Sequence, residues 1–284
     1  MSHNGFYVPS FGVMQPRPQG APVALHRASS VEEIFSVPPR VEENRRLARV
    51  ATEVPRVPWD RFIRDELRWN SGEHFALIGP TGQGKTTMLL NLLPFHPYVV
   101  VFATKPRDAT MDALIRSGYY RMDEWRSLDP RDFPRRVLWP DATRLDSIMH
   151  QRDSFHSAFG AIYREGGWTV AIDETWYMAN ELKLGHDIKV FLLQARSLGI
   201  SLVCATQRPA MIPVEIYDQS THIMFWRDND ETNLKRISGI SYRSADLIRH
   251  VVSNLESHQV LYINTRTGRM VRTRCPDIVL PQGR

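Results

Sequence analysis

"ALIGPTGQGKTTMLLNLL", residues Ala76–Leu93, decides how the rest of the chain is read. Gly79, Gly84, Lys85 and Thr86 fill the fixed places of G-x-x-x-x-G-K-[ST], the phosphate-binding loop. Glycines let the backbone take dihedrals closed to other residues and approach a ligand closely. The whole turn is Gly79, Pro80, Thr81, Gly82, Gln83, Gly84, Lys85, Thr86 and Thr87. Its N–H groups are expected to converge on phosphate at a helix N-terminus, where the partial positive charge favours anions. Lys85 would reach the β- and γ-phosphates, and the Thr86 hydroxyl would ligate Mg²⁺. The flanks agree: "EHFALI" (Glu73–Ile78) reads as a short buried strand and "KTTMLLNLL" (Lys85–Leu93) as the start of a helix. The expected ligand is a nucleoside triphosphate, ATP, with its magnesium ion.

Composition bounds the rest. A chain of 284 residues, 42% of them hydrophobic, can bury one sizeable α/β core plus small additions. No apolar run approaches the roughly 18 residues needed to span a bilayer. The N-terminus lacks the charged-then-apolar pattern of a signal peptide. A cytoplasmic chain with no stable membrane insertion is therefore expected. Of the two cysteines, Cys204 lies in an apolar strand pattern, which suits a buried inert thiol in a reducing compartment. A net charge of +5 points mildly to a polyanionic partner.

Residues 1–45 are rich in Pro, Ser and Gly with little periodicity and read as a flexible arm, although "VEENRRLARV" (Val41–Val50) could form a short helix. Residues 46–284 read as one domain. Strands are expected at Tyr98–Ala103, Arg135–Pro140, Trp168–Asp173, Ile200–Thr206 and Thr221–Trp226. Helices are expected at Ala109–Gly118, at His186–Gly199, and over a long segment ending at the Gly166–Gly167 stop. In that segment Leu145, Ile148, Met149, Phe155, Phe159, Ile162 and Tyr163 keep a helical period. His258–Asn264 and Arg269–Arg274 flank "TRTG" and read as a β-hairpin. Apolar strands alternating with helices imply an α/β fold: a mainly parallel sheet covered on both faces.

The second half carries the catalytic candidates. "WTVAIDETW" is an apolar strand ending in Asp173 and Glu174. A carboxylate at a strand's carboxyl end lies where ligands bind in such a sheet. Asp173 would hold Mg²⁺ through water, and Glu174 would orient and deprotonate an attacking water. The bland alternative is a helix N-cap pair. Gln207, at the end of "ISLVCATQ", could bond the γ-phosphate or the attacking water; otherwise it is an ordinary strand-end turn before Pro209. Arg196 closes a helix, where a cation is favourable on dipole grounds alone. The sharper reading makes it an arginine finger for a neighbouring subunit's ATP, with Arg208 as second candidate.

"GPTGQGKTT", "VAIDE", "QARSLGISLVCATQRP" and "THIMFWRDNDETNLKRISG" together resemble the FtsK/HerA superfamily of P-loop ATPases over roughly Glu73–Thr273. The resemblance implies a RecA-like (ASCE) P-loop NTPase core and a homo-oligomeric ring, pentamer or hexamer, that pumps double-stranded DNA through its pore. It also implies Arg196 as the finger acting in trans and Gln207 as the sensor. The chain has room for neither the winged-helix domain of septal pumps nor the N-terminal barrel of HerA helicases. A stand-alone motor with a short arm is similar to the small viral genome-packaging ATPases, which dock on a portal or capsid vertex. A conjugative or repair-type DNA pump, and a zonula-occludens-toxin-like assembly ATPase, stay open beside it. DNA would meet the loops after the third and fourth core strands, which offer Asn180, Lys183, Lys189 and Arg208. Arg266, Arg269, Arg272 and Arg274 form a denser basic cluster near the C-terminus. Alternate residues of a strand share a face, so Arg272 and Arg274 could make one patch.

Overall fold

Strands whose alternate residues are all apolar must be covered on both sides. In the computed structural model, which describes residues 42, 45–46, 54–144, 146–208, 211–238 and 245–277, nine strands, most of them buried on both faces, form one sheet in the order β3-β4-β2-β5-β6-β1-β7-β8-β9. They are β1 His74–Ile78, β2 Val99–Phe102, β3 Tyr120–Met122, β4 Arg135–Leu138, β5 Thr169–Ile172, β6 Ser201–Thr206, β7 Ser220–Trp226, β8 Val260–Asn264 and β9 Met270–Thr273. The first seven run parallel to their neighbours, while β8 and β9 form an antiparallel hairpin on β7. The loop-bearing strand β1 is paired on one side with β6 and on the other with β7. Strand β6 therefore separates β1 from the acidic strand β5, as in a RecA-like core.

Period-two side-chain alternation sorts each strand between two cores. Ala76, Ile78, Val100, Phe102, Val170, Ile172, Leu202 and Cys204 face one way and pack with α3 (Ser147–Glu165), α4 (Gly185–Gln194), α5 (Glu215–Asp218), α6 (Glu231–Ser238) and α7 (Ala245–Ser253). Phe75, Leu77, Val99, Val101, Ala171, Val203 and Ala205 face the other way and pack with α1 (Lys85–Leu92) and α2 (Ala109–Arg116). Each fully buried Val, Leu, Ile or Phe among them contributes roughly 1.5–3 kcal/mol. The expected α/β architecture is thus the observed one, with helices on both faces and the hairpin at one end. A single compact unit spans Glu43–Arg284. The expected arm and the helix at Val41–Val50 lie almost wholly outside the described residues.

Some local expectations shift. In α3 the buried stripe is Ser147, Gln151, Ser154, Phe155, Ala158, Phe159, Ala161 and Ile162. Ile148 and Met149 are exposed instead of buried. The reason is polar: Gln151 turns inward to donate to the Thr104 carbonyl at 3.0 Å and to accept from the Tyr177 hydroxyl at 3.0 Å. Leu145 lies outside the described residues. The helix expected over His186–Gly199 tightens to a 3₁₀ turn at Ala195–Leu198, ended by Gly199 at φ +68°. The outer strand β9 is covered by the segment before β1: Arg272 donates its N–H to the Pro55 carbonyl, and Val57 donates to the Arg272 carbonyl, both at 2.8 Å. Cys204 is a buried free thiol whose pKa burial pushes up to about 12.

His74, in β1, makes stability depend on pH. Its Nδ1 accepts the Leu202 N–H at 3.1 Å, so that nitrogen carries no proton in the folded state. Burial lowers its pKa to about 4, against 6.5 for a free imidazole. Between these values the unfolded chain takes up a proton that the folded chain refuses. The stabilisation is therefore present above pH 6.5 and is lost as the pH falls through 4. From this group alone, urea unfolding at pH 5 should give a stability about 2 kcal/mol below that at pH 8. His74→Gln should flatten that dependence; an unchanged slope would exclude the assignment.

Candidate active site

The parallel core strands bring the carboxyl ends of β1, β2, β5 and β6 side by side, and the loops leaving them build the site. Strand β1 runs into Gly79, whose N–H donates to the Thr206 carbonyl of β6 at 3.2 Å. A Cβ on Gly79 would fall 2.6 Å from Cβ of the buried Trp226, so only glycine fits there. Gly82 and Gly84 hold φ of +77° and +96°, the left-handed region that glycine enters at no steric cost. Gly84 is also the N-cap of α1, which places Lys85, Thr86 and Thr87 in the helix's first turn.

Lys85 folds back over the loop, its Nζ donating to the Pro80 carbonyl at 2.8 Å. Burial lowers the pKa of this amine, against the pull of Asp173 and Glu174. The Thr86 hydroxyl donates to Oδ1 of Asp173 at 2.9 Å. These two hard oxygen donors fit a magnesium ion, which takes one or two protein ligands and completes its shell with phosphate and water. Among the described residues no group of three or more His, Cys, Asp or Glu is placed to hold a metal. A cation here would rely on Thr86, Asp173 and the ligand's own oxygens.

Glu174 follows Asp173 beyond β5. Its Oε2 accepts from Nε2 of Gln207 at 3.2 Å, and Gln207 in turn accepts the hydroxyl of Thr81 from the phosphate loop. Its Oε1 is buried with no hydrogen-bond partner among the described residues, as is Oε1 of Gln83. Burial raises the pKa of the Glu174 carboxyl, and the neighbouring Asp173 charge raises it further; Lys85, Lys105 and Arg208 oppose this. A carboxylate with raised pKa beside a phosphate loop has the chemistry of a general base.

The structure therefore brings together Gly79 through Thr87, Asp173, Glu174 and Gln207. It also adds Lys105, which the sequence reading passed over: its Nζ lies 3.2 Å from Oδ2 of Asp173. Lys105 stands two residues beyond the strand-like run Tyr98–Ala103, and its signal was a charged residue at the carboxyl end of a buried strand. A cavity of about 360 Å³ opens beside Glu174, with Gln207, Lys105, Gln151, Tyr177 and Arg208 among its lining.

The other candidates fall elsewhere. Arg208 stacks its guanidinium over the Trp176 ring, 4.5 Å from the centroid, and acts electrostatically on Glu174 of its own chain. Arg196 is exposed and precedes β6, so it lies at the amino end of the sheet, and its carbonyl packs against Gly72 just before β1. About five residues of strand at roughly 3.3 Å each separate it from the level of its own phosphate loop. Of the expected DNA contacts, Lys183 is exposed. Asn180 spends its amide on the carbonyls of Trp176 and Met211, at 3.0 and 3.1 Å, and Lys189 pairs with Glu215 at 3.2 Å. The C-terminal arginines are internally engaged: Arg266 with Glu73 at 2.7 Å, Arg269 with both oxygens of Glu66, Arg272 with the Val54 carbonyl and Arg274 with the Ser257 carbonyl.

No family model matches the sequence, and no curated protein matches it. Solved structures do match in fold. The genome packaging NTPase B204 from Sulfolobus turreted icosahedral virus 2, in complex with sulfate, is similar with a TM-score of 0.55 and 18% identity, over 75% of this chain and 100% of that one. The same NTPase in complex with AMPPCP gives a TM-score of 0.54 and 17% identity, over 74% of this chain and 100% of that one. VirB4 of Thermoanaerobacter pseudethanolicus gives 0.54 at 10% identity, over 72% of this chain and 89% of that one. The chain thus has an α/β RecA-like P-loop fold, shared in outline with a viral genome packaging NTPase.

Proposed function

We propose that the chain is a Mg²⁺-dependent ATP hydrolase that works as a double-stranded DNA translocase, in the form of a viral genome-packaging motor. The observation that carries the reading is the hydrogen-bonded run from Thr81 through Gln207 to Glu174, which links the phosphate loop to a base with a raised pKa. A simple binder needs the loop alone; a base held beside it serves hydrolysis. The fold of the packaging NTPase and the FtsK/HerA-like runs of sequence support the motor assignment. The setting that follows is the cytoplasm of a host cell, with a portal or capsid vertex as docking partner.

In this mechanism Lys85 releases the Pro80 carbonyl and meets the β- and γ-phosphates. Thr86 and Asp173 would hold the magnesium ion, which would neutralise charge on the phosphates. Glu174 accepts a proton from the attacking water at its carboxylate. Gln207 loses its contact with Thr81 when phosphate fills the loop, and so passes the state of the site to the segment after β6. Arg196 sits at the far end of the sheet from its own site, so it can serve only a neighbour's, which calls for a ring. Among the expected contacts Lys183 and Arg208 are both exposed and could track DNA phosphates, a contact indifferent to sequence.

Lys85→Ala should abolish nucleotide binding or turnover. Glu174→Gln should keep ATP binding and cut turnover about 10²–10⁴-fold. Both proteins should stay folded by circular dichroism. Equal loss of ATP binding in the two variants would refute the separate roles.

Arg196→Ala should lower hydrolysis by about 10³–10⁵ with ATP binding intact, if the arginine acts in trans. As a helix-end cation it would contribute only about 0.3–1 kcal/mol of stability. Mixing Arg196→Ala with Glu174→Gln subunits should restore part of the activity, because some interfaces then pair an intact glutamate with an intact arginine. A mixture that exchanges subunits and stays inactive would defeat the assignment.

Linear double-stranded DNA should stimulate hydrolysis, with affinity that ignores sequence and falls steeply with salt. Replacing Lys183 should weaken that stimulation and leave basal turnover in place. Turnover unaffected by DNA would favour an assembly ATPase acting on protein.

A further inference from the structure

Lys105 is a charged group at the site that the proposed reaction has not used. Its backbone is fixed on both sides: the Lys105 carbonyl accepts from Nε1 of Trp139 at 2.8 Å, and the Thr104 carbonyl accepts from Nε2 of Gln151 at 3.0 Å. Both donors belong to buried side chains. From this anchored strand end Nζ reaches two carboxylates, Asp173 Oδ2 at 3.2 Å and Asp108 Oδ2 at 3.3 Å.

Each of those carboxylates has its other oxygen committed. Asp108 Oδ1 accepts the N–H groups of Thr110 and Met111 and so caps α2. Asp173 Oδ1 accepts from Thr86. The two acids are only 13% and 12% exposed, whereas Lys105 is 53% exposed. An ordinary exposed ion pair does little for stability. Here the lysine instead joins a rigid helix cap to a carboxylate that could otherwise turn about its own bond, exchanging its two oxygens.

We propose that Lys105 is a positioning residue for the metal: by holding Oδ2 of Asp173 it keeps Oδ1 turned toward the Thr86 hydroxyl, where Mg²⁺ would be held. The assignment rests on the reading of this site as one for Mg²⁺ and ATP. Charge alone makes the opposite forecast. A cation near a metal site repels the metal, so its removal should tighten Mg²⁺ binding. Positioning requires that its removal loosen Mg²⁺ binding, because the carboxylate is no longer held in place. The sign of the change separates the two.

The test uses the full chain and calorimetric binding of a non-hydrolysable ATP analogue across a Mg²⁺ titration, with EDTA as the metal-free point. Lys105→Met keeps the aliphatic stem and removes the charge. It should raise the Mg²⁺ concentration needed for half the gain in affinity by about tenfold, the usual scale for groups that orient metal ligands. Binding in EDTA should stay at the wild-type value, and Lys105→Arg should recover most of the loss. An unchanged or lowered Mg²⁺ requirement in Lys105→Met would overturn the assignment, as would an equal loss of affinity in EDTA. If the wild-type chain binds the analogue with no response to Mg²⁺, the reading of the whole site falls with it. A normal wild-type response with an unaltered Lys105→Met removes Lys105 alone.

Discussion

Two carboxylates on consecutive residues, Asp173 and Glu174, stand at the end of a strand whose other residues are fully covered. Like charges so placed repel and are poorly solvated, so one of them is pushed toward its neutral form and both need partners. The surroundings answer that demand group by group. Thr86 and Lys105 take the two oxygens of Asp173, while Gln207 takes one oxygen of Glu174. Lys85 supplies further positive charge from inside the loop. Thr86, Lys85, Lys105 and Gln207 all answer this one electrostatic problem. The other oxygen of Glu174 is buried with no hydrogen-bond partner among the described residues.

The same accounting explains where positive charge is not available. Arg136 is fully buried between the rings of Trp125 and Trp168, with its guanidinium given to the carbonyls of Phe133, Arg126 and Leu128. At the amino end of the sheet Glu73 is buried and shared by His222 and Arg266. Arginines that look like a binding patch in sequence serve instead to close the hairpin against the start of the domain.

What was legible in the sequence was what depends on local pattern. The phosphate loop has fixed spacing, and the core strands are mostly apolar runs, so the loop, the sheet and Asp173–Glu174 were all readable. The three-residue strand β3 carries too little pattern to be seen. Helices α6 and α7 are short, and α6 follows the charged run Arg227–Asp230. Lys105 was invisible as a site residue because its partners, Asp108 and Asp173, are three and 68 positions away and meet only when β2 and β5 pair. The exposure of Ile148 and Met149 was hidden for a related reason. Helical periodicity ranks residues by hydropathy, whereas Gln151 was drawn inward by two hydrogen bonds that no helical wheel contains.

The cover over β9 has a consequence for how copies of the chain can meet. An open sheet edge invites a strand from another molecule, and one way to blunt it is to occupy it with proline-bearing chain. Here Pro55 and Val57 take the N–H and carbonyl of Arg272, and Pro58 follows with no N–H to offer. At the opposite edge β3 is only three residues long. Neither margin offers a template for continuing the sheet into a neighbour. A second copy of this chain would then have to dock through side chains and loops rather than by adding a strand to the sheet.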